Sequence, residues 1–181
     1  VQHDDNGQCI NCHHYKNWET DQMMFHARQY LGGTVIINNG DMKRINLKTD
    51  STISAGVYPA WHPTHNYIAF STNKTRQSVH TNNNNRIEVF DTESDLILYN
   101  IDKNSVSIVE NDTAEFECFP AWTPDGKTLY YVSAHFDYGF GSDREEYIVK
   151  NHKSIHYNLY KKSFNPETAA WGKPELVYDA A

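Results

Sequence analysis

The sequence predicts a mainly β protein in which a short helical segment precedes the strands. From Thr34 onward, short runs of apolar and β-branched residues are separated by turn signals such as Asn39-Gly40. Residues 1–31 lack this alternation and carry a C-x-x-C-H motif instead. We therefore divide the chain into residues 1–31, a helical segment with the motif, and residues 32–181, the β-rich part.

Composition limits the possible functions. The chain has 181 residues, of which 39% are hydrophobic and 13% aromatic, which is enough for a packed core. Its formal net charge of −7 argues against a nucleic-acid-binding protein, which would need a basic surface. No run of apolar residues approaches the length of a membrane span, so none is expected.

The first set of predicted strands is a hairpin over Thr34–Asn38 and Met42–Leu47. Two further sets of four strands follow it. The second set is predicted at Tyr58–Trp61, Tyr67–Ser71, Leu96–Ile101 and Ser105–Val109. The third set is predicted at Phe119–Trp122, Thr128–Ser133, Tyr157–Phe164 and Glu175–Tyr178. Long polar insertions separate the second and third strands of each set.

The two sets begin with copies of one motif. Tyr58-Pro59-Ala60-Trp61-His62-Pro63 aligns with Phe119-Pro120-Ala121-Trp122-Thr123-Pro124. An internal repeat of four short strands is typical of β-propeller blades. Two full blades and half of a preceding one are predicted. Because propellers close with about four to eight blades, we expect the chain to be part of a larger propeller or to pack against another chain that completes it.

A helix is predicted within the segment Trp18–Tyr30. Asp21 can cap its start, no proline interrupts it, and Gly32-Gly33 ends it. We expect a helix of about two to three turns.

The motif Cys9-Ile10-Asn11-Cys12-His13 predicts covalent attachment of one haem c. Two thiols on one turn would bond to the haem vinyl groups, and His13 would ligate the iron. A sixth ligand is expected from the following segment, with His26 preferred over Met24. The left-over Cys118 is expected to be a buried small apolar residue.

Two alternatives to haem stay open. Cys9 and Cys12 could form a structural or redox disulfide. They could also bind zinc together with His13, with His3 or His26 as the fourth ligand. Haem is the preferred interpretation because the histidine follows the second cysteine directly.

The segment Phe119–Lys127 resembles the aromatic-Pro-x-Trp-Ser-Pro-Asp-Gly-Lys pattern of TolB-like β-propeller proteins. The earlier copy has Thr64-His65-Asn66 in place of Asp-Gly-Lys. The order of C-x-x-C-H, Met-Met-Phe-His-x-Arg, Gly-Gly-Thr and propeller repeats is similar to that of a group of Gram-negative envelope proteins. The resemblance implies a periplasmic or outer-membrane-associated location.

These features together predict a haem c-binding propeller protein of the cell envelope that acts in electron transfer or haem-dependent docking. The alternative is a non-enzymatic binding or scaffold component of an envelope complex, with Cys9 and Cys12 as a structural disulfide. An enzyme is the less favoured prediction, because no catalytic constellation stands out in the sequence. The expected partner is an envelope protein or the remainder of a longer chain.

Overall fold

Thirteen β-strands and one α-helix form the part of the chain that a computed structural model describes, residues 9–28, 32–78, 88–136 and 142–180. The prediction of a mainly β protein is confirmed. The strands form three antiparallel sheets in chain order, each built from consecutive strands. Within the described residues no helix is long and apolar enough to cross a membrane.

The first sheet contains β1 (Cys9–Tyr15), β2 (Gln22–Arg28), β3 (Gly33–Asn38) and β4 (Asp41–Ile45). The predicted helix within Trp18–Tyr30 is wrong, because its centre is strand β2. Helix-forming Met, Ala and Arg side chains there are outweighed by pairing on both edges, with β1 on one side and β3 on the other. The proposed boundary between residues 31 and 32 consequently runs through one sheet.

The second sheet contains β5 (Gly56–Trp61), β6 (Tyr67–Ser78), β7 (Glu88–Asn100) and β8 (Ser105–Glu110), which confirms all four predicted strands. The polar insertion between β6 and β7 differs from expectation. Both strands extend into it as a long ladder that pairs Thr72 with Asp95 and Ser78 with Glu88. Residues 79–87 lie outside the described part.

The third sheet contains β9 (Glu115–Trp122), β10 (Thr128–His135) and β11 (Asn158–Asn165). Two short strands, β12 (Ala170–Trp171) and β13 (Glu175–Tyr178), both pair with β11. Within the second insertion, α1 (Ser142–Asn151) and a 3₁₀ turn (His152–Ser154) follow β10. The four predicted strands of this set are confirmed.

Each sheet carries the same β-bulge in its first strand. Two residues of the first strand face one residue of the second, and the first of the two has a positive φ. The bulged pairs are Cys12-His13 (φ of Cys12, 53°), Tyr58-Pro59 (φ of Tyr58, 48°) and Phe119-Pro120 (φ of Phe119, 55°). The residues that face them are Phe25, Phe70 and Tyr131. The chain therefore contains three copies of one structural unit, and C-x-x-C-H lies in the first copy.

The sheets pack face to face through two apolar clusters. Between the first and second sheets, Met24 and Ile36 share a buried cluster with Ile68 and Phe70. Between the second and third sheets, Ala69 and Leu98 share a cluster with Leu129 and Tyr131. Side chains alternate between the two faces of a strand. Successive residues in the central strands of the second sheet therefore pack into one cluster and then into the other. The core is thus a stack of layers between sheets.

The two outer faces of the stack differ. A third cluster covers the far face of the third sheet, where Phe116 and Cys118 pack with Ile148 of α1. On the first sheet, the side chains that alternate with Met24 and Ile36 face away from the second sheet. They are apolar and only partly buried: Met23, Phe25, Val35 and Ile37. This face of the first sheet is a partly exposed apolar surface.

A buried histidine joins the second and third sheets. The His62 side chain is 0% exposed, and its Nε2 donates a hydrogen bond to the Gly126 carbonyl at 2.9 Å. Its Nδ1 accepts from the backbone amides of Thr64 and His65 at 3.2 and 3.1 Å. Gly126 has a φ of +69°, and a Cβ there would lie 2.2 Å from His62 Cε1. Only glycine allows the turn and the ring to approach this closely.

We expect Gly126→Ala to lower the free energy of unfolding by about 3 kcal/mol or more, because it combines left-handed strain with a steric clash. Gly40→Ala is the matched control. Gly40 also has a positive φ, +85°, but no atom lies within 4 Å of its added Cβ. The control should lose only about 1 kcal/mol. Urea unfolding of both variants measures the difference, and equal losses would show that the His62 contact is unimportant.

Candidate functional site

An aromatic groove of about 530 Å³ lies where the first strands of the three sheets end. It is lined by the residues that follow each bulge, together with the turns after them. These residues are His13, His14, Tyr15, Asn17, Trp18, Pro59, Ala60, Trp61, Pro63, Pro120, Ala121, Trp122, Thr123 and Pro124. We call this set the aromatic groove. Its volume is within the range of small-molecule and peptide sites.

Trp18 forms an exposed rim of the groove. Its side chain is 92% exposed, and both Asn17 and Trp18 have positive φ values, 47° and 66°. The Asn17 Nδ2 donates to the Pro63 carbonyl at 2.6 Å, which fixes the turn of the first sheet against the second. An indole held open to solvent by its own turn is a typical anchor for a binding partner.

The two repeated tryptophans make unequal contacts. Trp122 Nε1 donates to the Ala60 carbonyl at 3.0 Å and so links the third sheet to the second. The equivalent indole nitrogen of Trp61 is buried and has no hydrogen-bond partner. The carbonyl equivalent to that of Ala60 belongs to His14, whose Nδ1 is also buried and unpartnered. Such orphan atoms commonly mark a site for water or a ligand.

The electrostatic character of the groove is close to neutral. Burial and the neighbouring His13 lower the pKa of His14, so its imidazole is uncharged at neutral pH. His62 packs behind the groove, with its ring centroid 4.7 Å from that of Trp122. Burial also lowers the pKa of His62 to about 4. The groove therefore offers aromatic faces, proline rings and hydrogen-bonding atoms rather than charge.

The motif residues lie on β1, where a helical turn was expected. Cys12 is half-buried, His13 is exposed at the groove, and Cys12 and Cys118 are free thiols. The backbone of Cys9 pairs with that of Arg28 at the start of the strand. His3, an alternative zinc ligand, lies outside the described residues. Cys118 is 1% exposed, which confirms its predicted burial, and that burial raises its pKa to about 12.

The two predicted sixth ligands do not reach the groove. Met24 is 0% exposed and packs in the apolar layer between the first two sheets. His26 is buried, and its Nδ1 lies 3.3 Å from Thr34 Oγ1. It lines a different cavity, which lies beyond the opposite end of β1. His13 and His26 are thus brought to separate sites.

Haem attachment at Cys9 and Cys12 stays a prediction. Cys9 and Cys12 lie on strand β1, whose regular spacing is interrupted by the β-bulge at Cys12. Among the described residues no group of three or more His, Cys, Asp or Glu side chains is placed to hold a metal ion. The part of the motif that does fit a ligand site is His13, at the edge of the groove.

Sequence reasoning missed most of the groove. Trp61 is a core residue, with 4% of its surface exposed. Trp122 is only partly buried and lines the groove. The signal that could have located the site was the recurrence of Pro-Ala-Trp at equivalent positions, because equivalent strand ends in packed repeats meet at one place. Trp18 carried no such signal.

Comparisons with known proteins establish a likeness of fold only. No protein-family model matches the sequence, and no curated protein matches it. The structure is similar to that of an ancestral GH74 enzyme, with a TM-score of 0.50 and 11% sequence identity. The match covers 93% of this chain and 19% of that chain, so this chain spans about a fifth of the enzyme's length. At this sequence identity the similarity concerns the fold alone, and no activity is inferred from it.

The pKa of His62 predicts a pH dependence of stability. Its folded pKa of about 4 lies below the value of 6.5 for an unperturbed histidine. Between these two pH values His62 is protonated in the unfolded chain and neutral in the folded chain. The contribution of the neutral His62 to the free energy of unfolding is therefore complete above pH 6.5 and is lost as pH falls toward 4. The loss is on the order of 3 kcal/mol.

His62→Gln provides the comparison, because every other titrating group is kept. The free energy of unfolding should exceed that of the variant by the largest margin at pH 7, and the margin should shrink steadily toward pH 4. Urea unfolding at several pH values measures it. A margin that does not change with pH would contradict a neutral buried His62.

Proposed function

We propose that this chain is a three-blade portion of a β-propeller and that it binds a partner protein through the aromatic groove, without substrate turnover. The observation that carries the proposal is the convergence of three equivalent strand ends on one groove, with Trp18 exposed at its rim. Propeller faces formed by strand ends and their turns are common binding surfaces.

The blade assignment is supported by the repeat. Three antiparallel sheets of consecutive strands carry the same bulge and pack in chain order. The GH74 enzyme with a similar fold is itself a β-propeller. The partly exposed apolar face of the first sheet, which includes Phe25 and Val35, is suited to pack against a further blade. That blade would come from a longer chain or from a partner.

The chemistry of the groove favours an extended peptide segment as its ligand. Aromatic rings and proline rings alternate along its walls, and such walls bind extended, proline-containing chains. A neutral groove also suits a segment without charge. A location in the periplasm or at the outer membrane remains a proposal based on the motif resemblance.

We expect Trp18→Ala to weaken peptide binding at least about tenfold, since an anchoring tryptophan contributes about 2 kcal/mol. Stability should be unchanged, because the side chain is almost fully exposed. Tyr178→Ala is the matched control, as it removes another exposed aromatic ring, 65% exposed, on β13 away from the groove.

Arrays of proline-rich peptides and of oligosaccharides provide the measurement, with wild type and both variants applied at equal concentration. Peptide binding that is lost in Trp18→Ala and kept in Tyr178→Ala supports the proposal. Binding to oligosaccharides alone would assign the groove to glycans and overturn the peptide assignment. Peptide binding that survives in Trp18→Ala would place the ligand elsewhere.

Covalent haem c at Cys9 and Cys12, with electron transfer as the function, is the second candidate. It is favoured by the motif and by the exposure of His13 beside a groove with aromatic walls. The aromatic groove would then shield one face of the group.

An absorption spectrum of protein matured in a periplasm that assembles c-type cytochromes tests this candidate. Covalent haem predicts a Soret band that survives acid–acetone extraction and a mass increase of one haem. Both should disappear in a Cys9→Ser/Cys12→Ser double variant. A colourless wild-type protein of unmodified mass would exclude haem and leave the thiols free or paired as a disulfide.

A further inference from the structure

We propose that a second, basic cavity in this protein binds a small anion that carries phosphate or carboxylate groups. The cavity lies between the first and second sheets and has a volume of about 790 Å³. Its lining includes Arg28, whose backbone pairs with that of Cys9 at the start of β1. The cavity therefore lies at the opposite end of β1 from the aromatic groove. We call it the basic cavity.

The charge of the basic cavity is opposite to that of the chain. Its lining includes Arg28, Arg44 and Lys48 and no Asp or Glu. The chain as a whole carries 23 acidic and 16 basic residues. Among the described residues none of the three cations forms an ion pair. Uncompensated guanidinium groups in a concave site form strong paired hydrogen bonds with phosphate or carboxylate oxygens.

Arg28 has a hydrogen-bond partner beside the cavity, and Arg44 has space for its side chain. When the Asn11 amide oxygen is turned toward Arg28, this oxygen accepts two hydrogen bonds from the guanidinium group. One comes from Nε at 3.1 Å and the other from a terminal nitrogen at 3.3 Å. Arg44 crosses Gly33, where an added Cβ would lie 3.2 Å from Arg44 Cγ. The missing side chain at Gly33 therefore leaves space for the Arg44 stem. Arginines positioned in advance lose less entropy when an anion binds.

The polar side chains that line the cavity from the second sheet already have hydrogen-bond partners. Asn73 Nδ2 and Thr75 Oγ1 both donate to Asp91, at 2.7 and 2.5 Å. The Asp91 carboxylate lines a different cavity and is not part of the lining of the basic cavity. The anion is therefore expected to bind on the side of the first sheet, where Arg28 and Arg44 lie.

Isothermal titration with sodium pyrophosphate and with citrate tests the proposal on wild type, Arg44→Gln and Lys43→Gln. Lys43 is the matched control, because it precedes Arg44 on β4 and does not line the cavity. Both substitutions remove one positive charge. We expect Arg44→Gln to weaken binding by about tenfold and Lys43→Gln by less than about twofold.

The two probes distinguish the chemistry. Tighter binding of pyrophosphate would indicate a phosphorylated ligand, and tighter binding of citrate a carboxylate ligand. If circular dichroism shows that Arg44→Gln is unfolded, Lys48→Gln, in an exposed loop, replaces it with the same expectation. Failure of both anions to bind the wild type, or equal weakening by Lys43→Gln, would overturn the proposal. Neither result bears on the aromatic groove, whose lining shares no residue with the basic cavity.

Discussion

The repeated bulge in the first strand of each sheet is the constraint on which the rest of the structure depends. A residue with positive φ lets two residues of the inner strand face one aromatic residue of the next strand. The extra residue changes which side chains face the neighbouring sheet and bends the strand end. Because all three sheets bend at the same position, their Pro-Ala-Trp segments and the equivalent His13–Tyr15 segment meet in one groove.

The strands of the second and third sheets were predictable because each begins with the same aromatic-Pro-Ala-Trp motif. The first copy was not recognised, since Cys12-His13-His14-Tyr15 shares only a terminal aromatic residue with the other two. The C-x-x-C-H motif was interpreted as two thiols on one turn, and Met23, Met24 and Ala27 of the following segment are good helix formers. In the folded chain these residues lie in β2, between two strands that satisfy its backbone hydrogen bonds. Pairing and burial outweighed local propensity, as is usual for strands.

The candidate site was less predictable than the fold, because its residues come from three separate repeats. Trp18, Trp61 and Trp122 are far apart in sequence and converge only when the sheets pack in order. His26 and Met24 were assigned to His13 from closeness in sequence alone. In a strand, however, neighbouring residues face opposite sides, and pairing with β1 carries His26 toward the far end of that strand. Sequence proximity is therefore a poor guide to shared ligation in β structure.

The position of the C-x-x-C-H motif gives it a structural role that does not depend on any cofactor. Cys12 takes the left-handed conformation of the bulge, and His13 follows at the aromatic groove. Asn11, on the other side of the bulge, faces Arg28 in the basic cavity. The segment Asn11–His13 thus has one residue that lines the aromatic groove and one that contacts a lining residue of the basic cavity. A change in backbone conformation at Cys12 would displace His13 and Asn11 together, because both are fixed by the register on either side of the bulge.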